Sequence, residues 1–149
     1  MRRFFTMLAA AAVAVGLVAC TNQMSSQKTY KAELYAANEV PPVSGAGKGT
    51  AMLTLDPATK QLSWTVNFSD LSGPATAAHI HGPAAVGANA GVVVPFDGVP
   101  SAAAGEIKGS KVLTDAQIAD LDAGKFYVNI HTANNKGGEI RGQVRPDKM

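Results

Sequence analysis

An antiparallel all-β domain, an immunoglobulin-like or Greek-key sandwich or barrel with one short crossover helix, is the fold class the sequence predicts. Three observations predict it. The run QLSWTVNFS at 61–69 alternates strictly, with Leu62, Trp64, Val66 and Phe68 on one face and Ser63, Thr65, Asn67 and Ser69 on the other, which is the period of a half-buried strand. Seven or so such segments recur at regular spacing between Gly- and Pro-rich connections, the pattern of a sandwich or barrel. A single stretch, TDAQIADLDAG at 114–124, carries helix signals.

The N-terminus is set apart from this domain. Met-Arg-Arg, an apolar run from Phe4 to Ala19, then Cys20 follow the order of a secretory signal. The tetrapeptide Leu-Val-Ala-Cys at 17–20 looks like the lipobox of bacterial lipoproteins, in which the cysteine is lipidated after cleavage. Residues 1–19 are therefore expected to be a signal peptide, 20–29 a lipidated tether and 30–146 the β domain. Loss of Arg2 and Arg3 with the signal leaves eleven Lys and Arg against eleven Asp and Glu. No basic stripe remains, so nucleic acid is not expected as a partner. The one cysteine of the chain is Cys20, which excludes disulfides, thiolate nucleophiles and cysteine-ligated metal from the folded part.

The domain reads as strands in order. YKAELYA at 30–36 supplies the first. GTAMLTL, with Ala51, Leu53 and Leu55 on one face, is joined to 61–69 by the turn sequence DPATK, so 49–69 is expected to be a hairpin. Later strands are expected at 75–81, 92–96, 105–110, 125–131 and 138–144, with 44–49 and 82–91 as loops. Thr114 with Gln117 three residues on is a capping-box arrangement, Ile118 and Leu121 share a face, and Gly124 is the stop. Trp64 and Phe68 belong to the core by their alternation.

The chain has three histidines, and alternation assigns each a face. In AAHIHG at 77–82, Ile80 points inward, so His79 and His81 point outward together. In FYVNIHT, Val128 and Ile130 go inward, and Tyr127, Asn129 and His131 outward. In GEIRGQV, Ile140, Gly142 and Val144 go inward, and Glu139, Arg141 and Gln143 outward. The last two segments flank the turn-rich TANNKGG and are expected to pair. If the 75–81 strand lies beside them, His79, His81 and His131 fall on one patch, within reach of a shared ion. Three neutral imidazoles suit copper, with zinc as second choice, while the lack of a carboxylate at ligand spacing excludes calcium. Asn129, Glu139 and Arg141 are expected to support the site, Glu139 as an acceptor fixing a ring tautomer or as a cross-strand partner for a cation. No nucleophile elbow, phosphate loop or zinc-protease helix is present.

These segments resemble the CHRD domain, named for chordin and found in bacterial secreted proteins and lipoproteins. The resemblance rests on AHIHGPA at 78–84, YVNIHTANNKGGEIRGQV at 127–144 and LYAANEVPPVSGAGKGTAMLTLD at 34–56. The chain departs from the family pattern at ANNKGG, where members usually carry Asn-Pro before the glycine. The resemblance implies an all-β immunoglobulin-like or barrel-like module and little about biochemical role. The histidine pattern is also similar, more weakly, to copper–zinc superoxide dismutase, whose copper is held partly by a His-x-His strand and a later histidine. No fourth histidine is present to bridge a second metal.

The expected function is thus a lipid-anchored extracytoplasmic binding module that captures, buffers or delivers a copper-type ion. Its expected place is the outer membrane facing the periplasm, with the membrane as partner through Cys20 and an envelope protein as a further one. The competing reading is a structural or adhesive module whose histidines hydrogen-bond loops such as 82–91. An enzyme would need an open coordination position and a substrate pocket, and the sequence shows neither.

Overall fold

A computed structural model describes residues 26–147. The expected signal peptide at 1–19, the lipobox cysteine Cys20 and the tether as far as residue 25 lie outside the described residues. Nine strands follow, β1 (Lys28–Tyr35), β2 (Lys48–Asp56), β3 (Gln61–Ser69), β4 (Ala75–His81), β5 (Val92–Pro95), β6 (Gly105–Val112), β7 (Tyr127–Thr132), β8 (Ile140–Gln143) and β9 (Arg145–Pro146). One helix, α1 (Asp115–Asp122), links β6 to β7.

All pairings are antiparallel, and the sheet runs β5-β4-β7-β8-β1-β2-β3-β6, with β9 beside β1. The sheet curls until its ends approach: Trp64 of β3 stacks on Phe96, just past β5, at 4.7 Å between centroids. The result is a nearly closed antiparallel barrel or sandwich. Its interior is filled by the residues alternation picks out, including Leu34, Leu53, Leu62, Val66, Ile80, Ile107, Val128, Ile130 and Ile140, each at most 1% exposed. Each such aliphatic side chain contributes about 2 kcal/mol when withdrawn from water.

The expected β2–β3 hairpin is present, its register running from Lys48↔Ser69 to Asp56↔Gln61. Its turn is fixed by Asp56, whose carboxylate accepts from the Ala58 and Thr59 amides, and by Lys60 at φ 60°. In α1, Thr114 and Gln117 close the capping box, and Gly124 at φ +68° ends the helix with its N–H on the Leu121 carbonyl. Most strand boundaries differ from expectation by one or two residues, and three of the differences have a visible cause or bear on the site. β1 begins at Lys28 and stops at Tyr35, because Ala36–Asn38 form a 3-10 turn. β7 starts at Tyr127 rather than 125, and β8 covers only 140–143, because Gly138 takes a φ of +132° in the loop before it.

Candidate metal centre

β4 pairs directly with β7, in the register His81↔Tyr127, His79↔Asn129 and Ala77↔His131. The two histidine-bearing strands are therefore neighbours, and alternation puts all three imidazoles on the face opposite Ile80, Val128 and Ile130. The ring centroids of His79 lie 5.3 Å from His81 and 4.9 Å from His131. One ring nitrogen from each histidine lies within 4.8 Å of the others. Two nitrogens on one copper- or zinc-sized ion are at most about 4 Å apart, so convergence needs ring movements of under about 1 Å. The cluster can coordinate a metal ion.

Hydrogen bonds decide how each ring presents itself. His131 Nδ1 lies 3.0 Å from the Lys136 carbonyl, and His81 Nδ1 lies 3.0 Å from the Ala90 carbonyl. A carbonyl only accepts, so both Nδ1 atoms carry hydrogen and both Nε2 atoms present lone pairs. His79 Nδ1 is 3.0 Å from His131 Nε2 and must donate to it. His81 Nε2 is buried and has no hydrogen-bond partner among the described residues, an unmet lone pair. Burial pushes all three imidazoles below the usual histidine value, with mutual repulsion adding for His79, and for His81 repulsion from His131 and Arg141. The rings are neutral at pH 7, the form that ligates.

The three imidazoles are partly exposed, as a surface site requires, while polar side chains around them on the same face are buried. Tyr127, Asn129 and Arg141 are each at most 3% exposed. Two loops cover them. The 82–91 loop is held by Tyr127 Oη, within 3.3 Å of both the N–H and the carbonyl of Ala90, and by Gln143 donating to the Ala84 carbonyl. Asn89 donates onward to the Val40 carbonyl, tying this loop to the 36–43 segment. The reason is general: buried polar side chains persist where loop backbone supplies their partners.

The three expected supporting residues divide. Arg141 meets the cluster only through a neighbour: its guanidinium lies 3.4 Å over the Tyr127 ring, which stacks in parallel on His81 at 5.0 Å. Its fork donates to Asn89 Oδ1 and the Ala88 carbonyl. Asn129 donates to Glu39 Oε1 at 2.5 Å and makes no hydrogen bond to an imidazole. Glu139 is a correction. Its carboxylate accepts from Ser72 N and Oγ, Thr132 Oγ1 and Asn135 Nδ2, so it neither fixes a ring tautomer nor pairs a cation. Burial raises this acid, but those hydrogen bonds outweigh it and hold the carboxyl below the usual range. It pins the 70–74 and 132–138 loops together, while backbone carbonyls orient the rings.

Sequence reasoning missed Tyr127 and Glu39. Tyr127 was on the correct face by alternation, and its stacking was the part out of reach. Glu39 is 6% exposed, and burial lifts its carboxyl to about 7 against the pull of Arg141 and the bonds from Val40 and Asn129.

Comparison with known proteins gives one match. The family model for the CHRD domain fits residues 30–144, three quarters and more of the chain, and the chain belongs to that family. Neither the curated proteins nor the solved structures gave a match.

Proposed function

We propose that this CHRD-domain chain is a metal carrier of the cell envelope, holding one copper-type ion on His79, His81 and His131. The observation that carries the reading is the buried Nε2 of His81, without a partner among the described residues, in a cluster where the Nδ1 atoms of His81 and His131 are already tied to backbone carbonyls. An unmatched buried lone pair costs about 1–3 kcal/mol, and an ion removes that cost. Copper is favoured over zinc because divalent copper binds nitrogen donors more tightly.

The lipobox sequence ending at Cys20 supports anchorage to the membrane, in the outer membrane facing the periplasm, where an envelope protein would give or receive the ion. The module acts by capture, buffering or delivery rather than by turnover. A Cys20→Ser variant is expected to move from the membrane fraction to the soluble one; retention in the membrane would contradict the anchor.

The structural reading has one observation in its favour: His81 and His131 do bond the loops at Ala90 and Lys136. Titration of the protein with Cu(I), Cu(II) and Zn(II) separates the two. The metal reading expects one ion per chain, a rise in Tm on loading, and loss of both in His81→Ala. If no one-to-one binding depends on His81, the loop-holding role is all the histidines have.

A further inference from the structure

The stack behind His81 bears on which copper ion the site prefers. β7 lies between β4 and β8 in the sheet, so Tyr127 receives the His81 imidazole from one flanking strand and the Arg141 guanidinium from the other. Arg141 is 3% exposed and forms no salt bridge among the described residues. Its partners are neutral: Asn89, Ala88 and the Tyr127 ring. The three candidate ligands are neutral as well, and no carboxylate belongs to the cluster. The acid that feels Arg141 is Glu39, held by Asn129.

We infer that the Arg141–Tyr127–His81 stack biases the centre toward the cuprous ion. This rests on the copper reading above. Cu(II) and Cu(I) differ by one charge, and a fixed buried cation repels the higher charge more. With an effective protein dielectric near 20, a unit charge one stacked ring beyond a ligand shifts that balance by roughly tenfold or more. Solvent screens it little, because guanidinium and ring are both buried. Three uncharged nitrogen donors act in the same direction: they do not neutralise Cu(II), and Cu(I), a closed-shell ion, is content with three ligands. Arg141 and Tyr127 are positioning residues here, acting on the ion through His81.

The test measures the Cu(I) and Cu(II) affinities of the purified protein by anaerobic competition with a chelator specific for each, together with the reduction potential of the bound copper. Wild type is expected to bind Cu(I) more tightly, with a potential above that of aqueous copper. Arg141→Gln, which can still donate to the Ala88 carbonyl, should lower the Cu(I):Cu(II) affinity ratio by about tenfold, and Arg141→Lys should restore it. Glu39→Gln keeps an acceptor for Asn129 and removes the opposing charge, so it should raise the ratio, a sign that simple damage to the fold would not produce. Copper bound with Cu(II) preferred, or a ratio unmoved by Arg141→Gln and Glu39→Gln, overturns this inference and leaves the carrier reading standing. Absence of copper in either state overturns both.

Discussion

Glu39 and the histidines give the protein opposing pH dependences, and the signs follow from the direction of each shift. Burial raises the Glu39 carboxyl from 4.5 to about 7, so its contribution to stability is complete below 4.5 and is lost as pH rises through about 7. The histidines are lowered; their contribution is present above 6.5 and is lost as pH falls through their folded values. Glu39→Gln removes the first effect alone. Thermal unfolding should show the variant about 4 °C more stable than wild type at pH 8, a change on the order of 1 kcal/mol, with no gain at pH 4.5. An equal difference at both pH values would contradict the assignment. Gly138 tests the same region by size: at φ +132°, an added Cβ would collide with the Asn129 amide and the Glu39 carboxyl. Gly138→Ala should cost about 1–3 kcal/mol in urea unfolding. The faces of His79, His81 and His131 were legible in the sequence because alternation is a local rule needing only a strand. The role of Glu139 was not. Alternation assigns a face but not a neighbour, and Glu139 lies toward Ser72 and Thr132, away from the rings.

Two elements carry their own tests. In α1 the capping box of Thr114 and Gln117 satisfies donors that the first turn leaves unpaired. Thr114→Ala should lower stability by about 1 kcal/mol in chemical unfolding without changing metal affinity, since the helix supplies no ligand. The 82–91 loop should respond to metal instead. Its Ala90 carbonyl accepts from His81 and its Ala90 amide donates to Tyr127, so an ion that fixes the His81 ring also fixes the loop. Hydrogen exchange of the Ala90 amide is expected to slow on loading in wild type and to stay unchanged in His81→Ala. Uniform slowing across the barrel would point to general stabilisation instead. The helix was legible to within a residue because caps and stops are written in adjacent positions. The cover over the site was not, because it depends on 82–91 meeting 36–43 through Asn89 and Val40, a contact between segments about fifty residues apart with no periodic signal.

At the scale of the molecule, the barrel brings to one place what the chain separates: His79 and His81 on β4, His131 on β7, Arg141 on β8 and Glu39 beyond β1. Most strands and their inward residues could be read from patterning, though not the ninth, the two-residue β9. The strand order could not, because β4 reaches β7 past β5, β6 and α1, and long-range pairing leaves little mark on local sequence. That pairing turns a His-x-His strand into a three-imidazole centre, and the claim that the three rings share one ion rests on it. X-ray absorption at the copper edge of the loaded protein tests this most directly. Three imidazole nitrogens at about 2.0 Å from the ion, with the count falling in each of His79→Ala, His81→Ala and His131→Ala, is the expected result. Copper bound with fewer than three imidazoles, or with a sulfur neighbour, would contradict it.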